Sequence, residues 1–309
     1  MLKSPRDILE LFPIRKTKKQ KQVFRDAVCC YLQNLGYAAA VENGSFGSRN
    51  IVIGDPENAR YLVTAHYDTP AKLLFPNFIT PCNAFVFFGR KILQWFGIIL
   101  LAGLVGAAGG LVFGPVWIAP FCTAALVGLI VLMFLGTPNP ANANDNTSGV
   151  VTLLEIAKSL PKTQRNKVCF VLFDLEEAGL IGSSSYRKIH KKATDQQLVL
   201  NLDCVGDGDH ILMIPTAKLK KDKKQLTSLY KACGYFGKKS LLLKDKVFSV
   251  YPSDQRCFPY GVGICALNTG KFGLFLSRIH TPKDMVLDMT NVNILRAAIV
   301  SYICCNAAN

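Results

Sequence analysis

Two stretches of 21 residues, 92–112 and 116–136, contain no charged side chain and are separated only by Phe113, Gly114 and Pro115. Nothing else in the chain restricts its fold as strongly. A helix of about 20 apolar residues spans the ~30 Å hydrocarbon layer of a bilayer, and a core helix of a water-soluble protein rarely stays uncharged for so long. Two such runs in succession predict a transmembrane hairpin. Trp95 and Trp117, the only tryptophans, lie near segment ends, where aromatic belts form. Small residues (Gly103, Gly106, Ala107, Ala108, Gly109 and Gly110 in one run; Ala124, Ala125 and Gly128 in the other) allow close helix packing.

Outside the hairpin the pattern is that of an α/β protein. A helix is predicted over 18–35, with apolar positions at Val23, Val28, Tyr31, Leu32 and Leu35, and short strands over 38–41 and 50–53. Strand patterns follow at 60–65, 167–174, 198–203, 210–214, 240–243, 263–267 and 272–276. Helices are predicted over 149–160, from 182 onward, over 218–235 and over 290–305. Strands alternating with helices predict an α/β three-layer sandwich with a mixed, mostly parallel central sheet. One domain is expected from residues 1–77 and 137–309, interrupted by the hairpin at 78–136.

The formal charge of +15 is concentrated in runs such as Arg15-Lys16-Thr17-Lys18-Lys19-Gln20-Lys21 and Lys218-Leu219-Lys220-Lys221-Asp222-Lys223-Lys224. No nucleic-acid motif accompanies them, so no nucleic-acid partner is expected. They are read as solvated, as are Lys158 and Lys162; near an anionic leaflet each basic residue is worth roughly 1 kcal/mol. Eleven cysteines without a Cys-x-x-Cys pair are read as reduced core thiols of a cytosolic compartment. The first six residues lack the apolar core of a signal peptide.

The acids and histidines fall at revealing places. His66 and Asp68 follow the strand 60–65, Glu176 and Glu177 follow 167–174, Asp203 ends 198–203, and His280 follows 272–276. Asp145 precedes a helix, inside Asn144-Asp145-Asn146-Thr147-Ser148-Gly149, where Thr147 or Ser148 could also serve as an ordinary helix cap. Most of these groups therefore stand at carboxyl ends of strands, where α/β sheets place ligand sites. His66 and Asp68, two apart in extended chain, project to the same side. Asp68 can then accept the hydrogen of one imidazole nitrogen while the other nitrogen binds metal. Five converging acids (Asp68, Asp145, Glu176, Glu177, Asp203) would repel one another, and divalent ions remove that conflict. Nitrogen and carboxylate donors without thiolates suit a catalytic zinc site. His190 and His210 are read as structural.

Taken in order, six motifs resemble the M28 family of zinc aminopeptidases. They are His66-Tyr67-Asp68-Thr69-Pro70, Ala143-Asn144-Asp145-Asn146-Thr147-Ser148-Gly149, Phe173-Asp174-Leu175-Glu176-Glu177, Leu202-Asp203, Ser253-Asp254-Gln255 and His280-Thr281-Pro282-Lys283-Asp284. They cover nearly the whole chain except the hairpin, which makes the connection from His66 to Asp145 far longer than in typical soluble members. The resemblance implies a zinc-exopeptidase-like fold and two Zn2+ ions, with Co2+ or Mn2+ as substitutes. Asp145 would bridge the metals, His66 and Asp203 would complete one site, and Glu177 and His280 the other. Glu176 would be the general base acting on a bridging water, with Asp68 orienting His66. Tyr251-Pro252-Ser253-Asp254-Gln255 resembles a substrate loop, so Tyr251 is a substrate-binding candidate without an assigned oxyanion role.

The expected function is removal of N-terminal residues from peptides with a free amine. Two alternatives remain open: a single-zinc enzyme like the glutaminyl cyclases, and a non-catalytic membrane receptor or scaffold of the same fold. With an even number of crossings between His66 and Asp145, and Arg90-Lys91 flanking the first crossing, the positive-inside rule puts the catalytic domain in the cytoplasm. The hairpin is expected to be an anchor separate from the core.

Overall fold

Alternation with period two decides how the central strands face. In β4 (Val168–Phe173), Val168, Phe170 and Leu172 join one apolar core, while Cys169, Val171 and Phe173 join a second on the opposite face. The strand β3 (Tyr61–His66) does the same, with Tyr61, Val63 and Ala65 on one side and Leu62 on the other. Strands apolar on both faces must be covered on both faces. These two are the middle of the sheet.

The computed structural model describes residues 2–73, 77–246, 248–276 and 278–306. The remaining strands are β1 (Ala39–Asn43), β2 (Arg49–Ile53), β5 (Leu198–Leu202), β6 (His210–Pro215), β7 (Gly234–Phe236), β8 (Lys239–Leu243), β9 (Gly261–Gly270) and β10 (Gly273–Phe275). The sheet order is β1-β2-β4-β3-β5-β9-β6-β8-β7, with β10 paired to β9. The four central strands β4, β3, β5 and β9 run parallel, and antiparallel pairings flank them. The expected mixed sandwich is therefore present.

The helices are α1 (Ile8–Leu11), α2 (Lys18–Asn34), α3 (Ala84–Phe113), α4 (Ile118–Leu135), α5 (Gly149–Ser159), α6 (Ile181–Ile189), α7 (Lys191–Thr194), α8 (Lys223–Tyr230) and α9 (Met289–Cys305). Side chains of α2, α5, α8 and α9 build the larger core on one face of the sheet. Tyr186 of α6 and Phe258 cover part of the other.

Two local expectations are revised. The predicted helix over 218–235 breaks up, because Asp222 caps a new helix by accepting from the Gln225 amide and Gly234 opens β7. The helix near the amino terminus buries the expected Val28, Tyr31 and Leu32, and departs from expectation only at Val23. Val23 is exposed, whereas Phe24, Val28, Tyr31 and Leu32 are buried together with Lys21 and Arg25. All eleven cysteines are free thiols, but only Cys169, Cys204 and Cys265 are buried.

The hairpin folds as α3 and α4. Gly106, Gly109 and Gly110 face α4; a Cβ on Gly106 would lie 2.9 Å from both Cys122 Cβ and the Ile118 carbonyl oxygen. Gly103 and Gly128 face open space instead. α3 has 30 residues, about 45 Å at 1.5 Å per residue, against the about 20 residues a bilayer core requires. Its surplus lies at its start and packs on the globular domain. Ile79, assigned by sequence to the hairpin, is buried with Tyr251, Leu276 and Ile279, and Phe87 packs on the same cluster. Phe78 stacks on Phe275 with centroids 5.3 Å apart, and the Arg90 guanidinium sits 4.1 Å from the centre of the Phe78 ring.

His210 Nδ1 lies 3.0 Å from Ser240 Oγ, a structural contact across β6 and β8. His190 is clamped between Glu57 Oε1 at 2.5 Å and Glu42 Oε2 at 2.7 Å. Burial opposes its charged form, yet the two carboxylates outweigh burial and raise its pKa above 6.5. A raised folded pKa contributes stability that is fully present below the unfolded value and lost as pH rises through the folded one. Denaturation midpoints of wild type and His190→Gln across pH 5 to 9 should therefore differ most below about pH 6.5 and converge above the raised value.

Candidate metal centre

Nε2 of His66 lies 3.4 Å from Asp145 Oδ1 and 3.7 Å from Asp203 Oδ1. Nε2 of His280 lies 3.0 Å from Asp145 Oδ2 and 3.5 Å from Glu177 Oε2. Asp145 thus turns one oxygen toward each imidazole. Donor atoms of His66, Asp145 and Asp203 lie within 4.8 Å of one another, as do those of Asp145, Glu177 and His280. His66, Glu176 and Glu177 form a further group of this kind. All seven residues singled out as ligands or catalytic groups therefore converge, His66 and Asp68 from the end of β3, Glu176 and Glu177 from beyond β4, and Asp203 from beyond β5.

The local chain explains each placement. Asp68 stands 3.4 Å from His66 Nδ1 and accepts the amides of Glu176 (3.1 Å) and Glu177 (3.2 Å), so one carboxylate faces the imidazole and fastens the turn carrying both glutamates. Leu175 adopts a left-handed φ of 57° to make that turn. Asp145 sits in an irregular turn preceding α5, and its peptide bond to Asn146 is cis. Asn146 anchors this turn by donating to the Leu202 carbonyl (2.9 Å) and accepting the Cys204 amide (3.1 Å). Asn144 Oδ1 accepts the amides of Gly206 and Asp207. The start of α5 is capped by Asn146 Oδ1, which accepts the Gly149 amide, while Ser148 Oγ bonds the Asn144 carbonyl. The cap is thus Asn146, and the Asp145 carboxylate stays free to face the histidines.

The donor set fits divalent metal. Asp203 is buried, and its Oδ1 has no hydrogen-bond partner among the described residues. An orphaned carboxylate oxygen aimed at an imidazole nitrogen is costly without a cation. Burial raises Glu176 and Glu177 well above the usual carboxylate range; His66 opposes this and neighbouring carboxylates reinforce it. Burial also opposes ionisation of Asp145, but contacts with His280 and His66 hold its pKa down. Oxygen and imidazole nitrogen donors in sets of three match zinc preferences.

Three supporting residues escaped the sequence reading. Arg15, expected on a solvated basic face, is fully buried: Nε donates to the Tyr67 carbonyl at 2.5 Å, Nη1 to the Phe12 carbonyl at 2.7 Å, and Nη2 to Thr147 Oγ1 at 3.1 Å. Burial pushes its pKa down to about 10, with Asp68 and Asp145 pulling the other way. Lys21 of the same run is also buried, 2.7 Å from Asp174 Oδ1. A cationic run offers no local sign of which members turn inward. Asp284, quoted within a motif but given no role, accepts the amides of Asn144 (2.8 Å) and Asp145 (3.0 Å).

A cavity of about 140 Å³ opens over the donors and is lined also by Asn77, Ile79, Lys91, Tyr251 and Pro252. The Tyr251 hydroxyl donates to the Asp203 carbonyl at 3.3 Å. The loop that follows is fastened to β5, since Asn201 Nδ2 donates to Ser253 Oγ and Gln255 Oε1.

Comparison with known proteins agrees with this geometry. The sequence model of peptidase family M28 matches residues 132–302, more than half of the 309-residue chain. The chain belongs to peptidase family M28. Aminopeptidase YwaD of Bacillus subtilis is 39% identical over 72 residues, a match spanning 22% of this M28 chain and only 16% of that relative. A Zn-dependent exopeptidase of Parabacteroides distasonis superposes with a TM-score of 0.58 at 18% identity, covering 97% of this chain and 94% of the other. A glutaminyl cyclase of Porphyromonas gingivalis gives 0.57 at 17% identity, with 97% and 95% covered. At such identities the superpositions speak for the fold of this M28 member.

Asp284→Ala should leave the fold intact but weaken zinc affinity by ~10- to 100-fold, as loss of a group that orients a ligand does; a zinc titration against a competing chelator measures it. Arg15→Met, which strands several buried acceptors, should destabilise the protein by about 3 kcal/mol or more, read from denaturant unfolding.

Proposed function

We propose that this chain is a membrane-anchored, two-zinc aminopeptidase that removes the first residue from peptides with a free amine. The observation that carries the reading is the pair of three-donor groups sharing Asp145, with Glu176 beside them. His66, Asp145 and Asp203 would hold one ion, and Asp145, Glu177 and His280 the other. Two divalent ions supply Lewis-acid polarisation of a carbonyl and acidify water.

The chain's own residues do the rest. Glu176 accepts the proton of the attacking water and returns it to the departing amine. Asp68 holds His66 in the tautomer with its hydrogen on Nδ1, leaving Nε2 to coordinate. The acidic wall attracts the substrate's α-amine, which limits attack to the first peptide bond. Tyr251 shapes the cavity wall from the loop opposite. α3 and the run 115–135, both long and apolar enough to cross a membrane, would anchor the domain with its site on the cytoplasmic side.

Chelation should abolish hydrolysis of aminoacyl amides, and zinc should restore it at about two ions per chain. Metal analysis that finds full activity with one ion would contradict the two-metal scheme. Glu176→Gln should lower turnover by ~10²-fold or more with metal content unchanged. N-acetylated peptides should be inert. Conversion of N-terminal glutamine to pyroglutamate without release of a residue would identify a cyclase instead.

A further inference from the structure

The cavity above the metal donors is lined by four acids and, among the described residues, by one lysine. Lys91, in the surplus first turns of α3, is the one lysine or arginine among the described residues lining it. A lysine that served only to mark the cytoplasmic end of a membrane helix would extend into water or toward lipid headgroups. Lys91 is half-buried instead, with Nζ 3.1 Å from Asn77 Oδ1 and 3.5 Å from Gln94 Oε1, both neutral acceptors. Among the described residues it forms no ion pair, although the cavity holds many acids.

Lys91 therefore puts one positive charge on a cavity whose acids are Asp145, Glu176, Glu177 and Asp203. The acids and their ions take the substrate amine and the scissile carbonyl, and Lys91 repels a second amine while attracting an anion. We propose that Lys91 recognises a substrate carboxylate, making short peptides with a negative group one or two residues from the free amine the preferred substrates. This rests on the exopeptidase reading above. The carboxylate has two sources, the side chain of an N-terminal acidic residue or the C-terminus of a dipeptide. Lys91 is a specificity determinant and takes no part in bond cleavage.

The test uses the full zinc-loaded chain in detergent and two matched pairs: Glu- against Gln-fluorogenic amides, and Ala-Ala against Ala-Ala amide. In at least one pair the carboxylate partner should have a kcat/KM ~10-fold higher or more, chiefly through KM, consistent with a charge-assisted hydrogen bond. Whichever pair shows the preference identifies the source. Lys91→Met should bring that ratio near one while leaving leucyl-amide turnover within about threefold, and Lys91→Arg should restore it. Equal rates within both pairs, or a uniform loss on all substrates in Lys91→Met, would overturn the inference. Leucyl-amide hydrolysis by wild type tests the exopeptidase reading separately. If that is absent, calorimetric affinities for the same pairs decide on Lys91 alone, with equal affinities counting against it.

Discussion

Five carboxylates crowd around two imidazoles at the carboxyl edge of one sheet, and that concentration of like charge governs the rest of the architecture. Groups of one sign held this close cannot all ionise without counter-charge. The protein answers with rigid geometry. Asp68 faces the imidazole of His66 and fastens the glutamate turn. The irregular turn at Asp145 is held from below by Arg15 through Thr147 and from the side by Asp284 through two amides. Asn146 fastens the same turn to the end of β5, next to Asp203. The turns that carry Asp145, Glu176 and Glu177 are thus held by hydrogen bonds that do not use the donor atoms of those side chains.

The donors were legible in the sequence because most stand just past an apolar strand and because the ordered motifs that carry them resemble peptidase family M28. His66, Glu177 and Asp203 follow runs apolar on both faces, and those runs reveal the sheet as well. Arg15 and Lys21 were not legible. They sit in a run of cations whose neighbours Lys18 and Lys19 are exposed, and only the fold decides that two of them meet buried acceptors. The break in the predicted 218–235 helix was written more faintly, in Asp222 as a new cap and Gly234 as a breaker, against an apolar periodicity that favoured one long helix. Where the hairpin begins was hidden for a different reason. Hydropathy marks apolar length, whereas Ile79 and Phe87 are apolar because they pack on Tyr251 and its neighbours.

That overlap changes what the hairpin is. Its first helix is long enough to cross a bilayer and still spend two turns on the globular domain. Those turns are held by the stack of Phe78 on Phe275, by Arg90 over Phe78, and by Asn83 donating to the Phe272 carbonyl. At the other end, Lys16 Nζ bonds the Phe134 carbonyl as α4 finishes. Both legs are thereby fixed to the domain by side chains, beyond the chain connection alone.

The central position of β3 has a further consequence for how the protein is made. β3 lies between β4 and β5, yet it is translated before the hairpin and both of its neighbours after it. All six of its residues are buried in the finished sheet, so a nascent chain carries an apolar strand without a partner throughout synthesis of α3 and α4. Such long-range pairing is slow and prone to mispairing. His66 ends that waiting strand and meets its co-ligands only when the sheet closes around it. The sheet centre can therefore close only after the hairpin has been made, so the donors at its carboxyl edge come together late.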